Sequence, residues 1–566
     1  MPDKDRIKNE SMIHTEHPST GFSRSTVLWQ KLDSTIERFF LLCAIVTFAA
    51  LVILAWHHRF IQDDAFISFR YARNLLNGNG LVWNPGERVE GYTNFLWTIL
   101  ISSGMAAGID PVLGSQLLGM ICFIASLVIT YRTAFLLFCS RPLSLLTILL
   151  LGTNYTFSSY ATGGLETQLQ TMLCLLGVLL TLRFCSAERT SFPGCITVSL
   201  VLAAALLTRL DSAIFCIVIL ASVALHLRKG NRPLREKIEQ SIAMTAPLVI
   251  IIGGWFVWKI FYYGNIFPNT FYVKASSITS VERGLNFLYV FLISYSLWPF
   301  ILLGLFFGNR FLKESRVRFG ILLSILFLWI AYIIKVGGDF MEFRFLVPVL
   351  PLLFVSVVWL LFTVIPYPSI RFVGIAVILW GTIHHAQTFS FNTEDRIEPT
   401  DDLRGHLYDE DKNWTGIGKT LGERFHFDTT ITIATTAAGA IPYYSRMHAV
   451  DMLGLNDPWI AHNGVVVSTI PGHQRLAPLS YLVSQKVNLI ISHPQVLPIN
   501  ASVNQVPLIP GMTDINISDF RLIEIPLDDN YKFVVLYLTS HPNIDSAIKR
   551  YGWTTEHIFR SQNVQQ

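Results

Sequence analysis

The sequence predicts an all-α membrane bundle of about eleven transmembrane helices followed by a small α/β domain outside the membrane. Three observations carry that prediction. Only 14% of the 566 residues are charged, against roughly 25% in soluble proteins. Apolar residues make up 52% of the chain and gather into successive runs over 38–390, while 391–566 has ordinary polar content. The loops between the runs alternate between purely basic and mixed-charge composition. A cytosolic enzyme, a disordered scaffold and a secreted disulfide-rich protein are thereby excluded.

Residues 1–36 are polar without a signal-peptide pattern, so they are expected to be a cytoplasmic tail before a retained first helix. Apolar runs follow at 38–56, 94–109, 113–131, 142–159, 166–184, 192–208, 212–227, 241–261, 285–307, 319–336, 345–364 and 371–388. The loop 228–237 holds Arg228, Lys229, Arg232, Arg235 and Lys237 against one Glu, and 310–318 holds Arg310, Lys313, Arg316 and Arg318 against one Glu. Both belong inside by the positive-inside rule. Seven runs before the first of these loops break the parity. The short Gly-, Ser- and Thr-containing run 94–109 is therefore expected to be re-entrant or to pack at the outer face, which leaves eleven spans in a membrane domain covering 37–390. The basic residues set topology, so the net charge of +4 implies no nucleic-acid partner. The seven cysteines lie in or beside apolar runs, without metal-binding spacing, and are expected to be inert packers.

The opposite loops carry both signs of charge. In the first, 57–93, an amphipathic helix over 65–77 is expected to lie in the membrane interface, closed by Gly78. A lone Asp before a helix is most often its N-cap. Asp63 and Asp64 are two adjacent carboxylates at a membrane mouth, a costly arrangement that points to a catalytic base or a cation ligand. Whether a divalent cation takes part stays open; these two would ligate it. Arg70 follows, with headgroup contact as its plainer reading, then Glu90, Tyr92 and Asn94. Glu166 enters an apolar helix, and an acid at that depth needs a partner. Thr208-Arg209-Leu210-Asp211 offers an ion pair. Tyr262, Asn265, Asn269, Tyr272 and Lys274 suit sugar stacking and phosphate contact, although aromatic belts look similar. Lys335-Val-Gly-Gly-Asp-Phe-Met-Glu-Phe-Arg344 packs Asp339, Glu342 and Arg344 beside a Gly pair.

A channel would carry a polar stripe along its spans, and a transporter would carry midplane charges and repeats. Here the polar groups sit at one end, as in a site at the outer membrane face. Arg and Lys can meet a leaving phosphate, and a carboxylate can deprotonate an acceptor hydroxyl. No P-loop, HExxH or GxSxG is present: the Gly418-Lys419-Thr420 string lacks the earlier Gly, Asn413 standing there.

Four ordered segments, DDAFISFRYARNLLNGNGLVWNPGERVEGYTNFLW (63–97), ATGGLET (161–167), GGDFMEFR (337–344) and DMLGLNDPWIAH (451–462), resemble bacterial multi-spanning glycosyltransferases of the C type. More narrowly they resemble the mycobacterial terminal arabinofuranosyltransferase family. The resemblance implies transfer of a sugar, arabinofuranose or another pentose, from a polyprenyl-phosphate donor to a glycan of the cell envelope. It places the enzyme in a bacterial inner membrane, with the acidic pair at the catalytic centre, here Asp63 and Asp64. Arg70, Arg209, Lys274 and Arg344 are expected on the donor phosphate. Glu90, Tyr92, Asn94, Glu166, Asn269, Asp339 and Glu342 are expected on sugar or acceptor. A flippase of lipid-linked sugar, binding through the same loops without chemistry, is the alternative, and a plain membrane anchor for the soluble domain is a third.

Residues 391–566 alternate strand-like runs (431–435, 448–452, 487–492, 532–538) with helical segments. Asp451, Asn456, Asp457 and His462 form its densest polar stretch, suited to carbohydrate hydroxyls as well as to ordinary turns and caps.

Overall fold

The computed structural model describes residues 22–186, 192–229, 233–275, 281–314, 316–392, 394–503, 508–515 and 520–557. Arg232 of the first basic loop lies outside the described residues. By packing, the chain divides into Met1–Ala50 and Leu51–Gln566. The first unit is described by the helix Phe22–His57, whose apolar stretch starts at Thr35. That helix begins well inside the segment expected to be a tail, because extending a nucleated helix costs little.

In the second unit, seven further helices are long and apolar enough to cross a bilayer: Pro111–Phe138, Thr167–Ser186, Leu210–Lys229, Leu234–Tyr263, Arg318–Val336, Arg344–Val364 and Pro368–Thr388. The run 285–307, read as one helix, is two: Val281–Ser294 and Trp298–Phe307 meet at 105°. The break has a local cause. Ser296 sits at φ +53°, a left-handed helix stop, and Pro299 cannot donate to a continuing ladder. Tyr295 at the corner places its hydroxyl on the backbone N–H and Oγ1 of Thr156, at 2.9 and 2.7 Å. With the bent pair, nine spans are long and apolar enough among the described residues, short of the eleven expected, because the runs 142–159 and 192–208 form the shorter helices Arg141–Thr153 and Phe192–Thr208. Phe95–Ala106 has 12 residues, about 18 Å of helix, too short for a core about 30 Å thick.

The soluble part is an α/β domain around one mixed sheet. In chain order the strands are β1 (Thr432–Thr435), β2 (His448–Asp451), β3 (Val465–Val466), β4 (Arg475–Leu476), β5 (Leu489–Ser492), β6 (Val496–Pro498), β7 (Arg521–Pro526), β8 (Tyr531–Tyr537) and β9 (Thr555–His557). The sheet runs β2-β1-β5-β8-β7-β9, with β6 also on β8, and β3–β4 form a separate hairpin. β1 pairs in parallel with β2 and β5, and the rest is antiparallel. The apolar runs became β1, β2, β5 and β8. Buried Ile490, Leu536, Leu522, Met452 and Leu482 fill the core on one side of the sheet.

The helix Asp63–Leu76 departs from its expected place. Ten of its fourteen residues are buried, because the soluble domain covers it instead of lipid. Phe66 packs on Tyr443 and Tyr444 at ring distances of 5.4 Å, and the Arg73 guanidinium lies over Tyr443 at 3.5 Å. Gly439 permits the approach: a Cβ there would stand 1.9 Å from the Asp63 carbonyl oxygen. We expect Gly439→Ala to lower stability by about 1–3 kcal/mol through overpacking, read as thermal unfolding in detergent. Gly253→Ala, with open space around its Cβ position, serves as the unaffected control.

Candidate active site

The acidic pair at the start of the first loop divides its work. Asp63 is buried, and its carboxylate accepts from the backbone N–H of Gly439 at 3.0 Å and of Ala440 at 2.7 Å. It thereby caps the Ala440–Ser445 helix of the soluble domain rather than its own, whose N-cap Gln62 makes no side-chain cap bond. Burial pushes its carboxyl up to about 7, with the Ala440 and Gly439 amides pulling the other way. Asp64, one residue on, is only partly covered and makes no hydrogen bond among the described residues. Burial raises its pKa, opposed by the positive charges of Arg344 and Lys274 and by His473.

A cleft at this end of the bundle gathers the remaining charge. Arg344 donates from Nε to Asp339 Oδ2 at 2.7 Å, on the turn that Gly337 and Gly338 make with φ of +81° and +74°. Arg209 reaches Glu166 Oε1 at 2.7 Å and Asp211 Oδ2 at 2.8 Å. The other Glu166 oxygen accepts from Asn94 at 2.7 Å. Glu166 is held below the usual carboxylate range: burial alone would raise it, but Arg209 outweighs that. Lys274 lies in the field of Asp339, Arg344, Arg209 and Asp64, with burial lowering its pKa. The two arginines line a narrow hollow whose walls include Thr167, Gln170, Asp211 and Trp329. Asp64, without a hydrogen bond among the described residues, lies in the field of Arg344 and Lys274; such a carboxylate can take a proton while the cations hold an anion.

The structure brings together Asp64, Asn94, Glu166, Arg209, Lys274, Asp339 and Arg344. It sets others apart. Arg70, expected on phosphate, is fully engaged by protein: it donates to the carbonyls of Trp83, Pro442 and Met447 and to Asn84 Oδ1. Glu90 pairs with Lys259 at 2.7 Å in the bundle interior. Tyr92 is buried with its hydroxyl 3.2 Å from that of Tyr263. Asn269 donates to the Gly454 and Leu455 carbonyls, tying the Asn269–Ala275 helix to the soluble domain. Glu342 holds His385 at 2.7 Å and the Thr400 amide at 2.8 Å.

In the soluble domain the plainer reading of turns and caps holds. Asp451 accepts from the Leu453 and Asn456 amides and from the Asn456 side chain. Asp457 caps Pro458–Asn463 and receives the Tyr481 hydroxyl. The His462 ring rests on Tyr272 at 4.7 Å. Among the described residues no three His, Cys, Asp or Glu side chains form a metal-binding group. Gln170 was not anticipated, although it stands one helical turn beyond Glu166. It donates to Asp211 at 2.5 Å.

The fold is shared with solved membrane proteins. ArnT from Cupriavidus metallidurans in the apo state superimposes with a TM-score of 0.54 at 12% identity, over 91% of this chain and 99% of that one. The same protein bound to undecaprenyl phosphate gives 0.54 at 11% identity, over 90% and 99%. In sequence the chain is similar to the terminal beta-(1->2)-arabinofuranosyltransferase of Mycobacterium tuberculosis, 26% identical over 291 residues, or 46% of this chain and 42% of the relative. It is 27% identical over 329 residues to the protein of the same name from Corynebacterium glutamicum, 51% of this chain and 46% of that one. The chain thus spans less than half the length of these curated relatives in the matched region. Residues 403–552 match the Domain of unknown function (DUF8728).

The division of the acidic pair is open to a direct check. Asp63→Asn leaves one backbone N–H facing an amide NH₂ and is expected to cost about 1–3 kcal/mol. Asp64→Asn removes a charge that burial disfavours and should leave the unfolding temperature unchanged or higher. The reverse order in a thermal melt would overturn the assignment.

Proposed function

We propose that this chain is an integral-membrane glycosyltransferase that moves a sugar from a polyprenyl-phosphate donor to a hydroxyl of an envelope glycan. The observation that carries the reading is Asp64, a carboxylate without a hydrogen bond among the described residues, lying in the field of Arg344 and Lys274. In this reading the acceptor oxygen attacks the anomeric carbon of the donor as Asp64 takes its proton. The bond from that carbon to the phosphate oxygen breaks, and the phosphate leaves with the electron pair toward the cations. Glu166 and Asp339 hold Arg209 and Arg344 in place. No step is assigned to a divalent cation.

The donor sugar is proposed to be arabinofuranose or another pentose, supported by the two curated relatives. The undecaprenyl phosphate of the ArnT complex supports a polyprenyl carrier. The site is proposed to face the periplasm from a bacterial inner membrane. Leu210–Lys229 starts at the cleft and ends at Arg228 and Lys229, and Arg318–Val336 starts at Arg318 and ends beside the Gly337 turn. The basic residues therefore stand at the far end, the side that the positive-inside rule makes cytoplasmic.

The test is transfer of radiolabel from synthetic polyprenyl-phosphoryl arabinofuranose, compared with a hexose donor, by the purified protein. Asp64→Asn should reduce turnover by at least about 100-fold. Wild-type turnover in that variant would end the proposal, and donor movement across sealed vesicles without product would favour a flippase. The pH profile gives a second check. Asp64 must be ionised to act as base, and Lys274 favours its ionised form. Lys274→Met should therefore shift the acidic limb of the rate profile to higher pH; a shift to lower pH would contradict the assignment.

A further inference from the structure

The membrane helices do not build the Asp64 surroundings alone. β3 and β4 form a two-residue hairpin, and the segment between them folds back on itself. The Val467 amide donates to Gln474, Ile470 to Ser468 Oγ and His473 to the Ile470 carbonyl, each at 3.0 Å. Gly472 makes the turn at φ +90°. The loop presents His473 edge-on to Phe340, with ring centres 4.9 Å apart. Phe340 in turn donates its amide to Asp339 Oδ1 at 2.9 Å, on the carboxylate that holds Arg344. His473 Nδ1 is buried and has no hydrogen-bond partner among the described residues.

The groups that face this imidazole come from four directions. They are Asp64 from the first loop, Lys274 from Asn269–Ala275, Glu398 from the entry to the soluble domain, and His493 after β5. His406 stands behind them, paired with Glu398 at 2.8 Å. Burial disfavours the protonated ring, although Asp64 and Glu398 pull the other way. A neutral imidazole has one donor and one acceptor nitrogen. Nδ1 is without a hydrogen bond among the described residues, so with the proton on Nε2 its lone pair is left for another partner.

We propose that His473 is an acceptor-positioning residue supplied by the soluble domain. Its lone pair accepts a hydrogen bond from a hydroxyl of the acceptor sugar beside the one that Asp64 deprotonates. A single contact at the reacting hydroxyl leaves the sugar ring free to turn. A second, from the opposite domain, fixes which hydroxyl meets the donor. This inference rests on the glycosyltransferase reading.

The experiment is steady-state transfer from polyprenyl-phosphoryl arabinofuranose to a short arabinan oligosaccharide, by wild type, His473→Ala and His473→Gln. His473→Ala should raise the acceptor KM about tenfold with donor KM and unfolding temperature unchanged. His473→Gln, which keeps an acceptor oxygen, should recover part of the loss. The wild-type acceptor KM should rise as the imidazole protonates on acidification, and the Gln variant should lose that dependence. An unchanged acceptor KM in the Ala variant, or a donor KM that rises with it, overturns the inference alone. If the wild type transfers no sugar, the glycosyltransferase reading falls and the inference falls with it.

Discussion

The grip of the Asp63 carboxylate on the amides of Gly439 and Ala440 sets the orientation of everything at the cleft. Successive residues on a helix point about 100° apart. With Asp63 held to the soluble domain, Asp64 is turned away from it toward Lys274 and Arg344. The same contact brings the soluble domain onto the Asp63–Leu76 helix, where Arg70 and Asn84 close the remaining backbone groups of 442–449. Like charges side by side repel and lose hydration. The pair survives because one member is hydrogen-bonded by backbone and the other faces cations.

Charge elsewhere in the bundle follows the same economy. Lys259 and Glu90 meet at 2.7 Å with the lysine fully buried, and Glu166 is enclosed by Arg209 and Asn94. Buried pairs of this kind add little net stability, while removal of one partner is strongly destabilising. Their value is in register. The Glu90–Lys259 pair and the Asn269 amide on the Glu90 carbonyl at 2.8 Å fix the Asn269–Ala275 helix, and with it Lys274. The cations are thus placed by acids, of which Asp211 also lines the cleft.

How much of this was legible in the sequence depends on the distance over which each feature is decided. The long apolar spans and the strands β1, β2, β5 and β8 are local matters of hydropathy and periodicity, and they could be read directly. The bend at Ser296 was hidden because Ser294, Tyr295 and Ser296 interrupt an otherwise apolar run only briefly; these and Pro299 hinted at it. The strands β7 and β9 escaped because Arg521, Glu524 and Glu556 interrupt their apolar pattern. The mixed charge of one set of loops marked the end of the bundle that holds the cleft. It could not say which acid faces the cleft and which is spent on packing, since Asp63 and Arg70 find their partners some 370 residues away. His473 carried no signal, being a lone histidine in a loop.

That separation bears on how the protein is made. Asp63 and Gly439 are 376 positions apart in the chain. At about 5–20 residues per second, roughly 20–75 s pass between synthesis of the first and of the second. During that interval the helices are inserted while the first loop has no cap for its acids and no carbonyls for Arg70. The cleft is completed only when the last domain has emerged and folded against it. A chain cut short of Gly439 therefore carries the cations and the carboxylate without the contact that orients them.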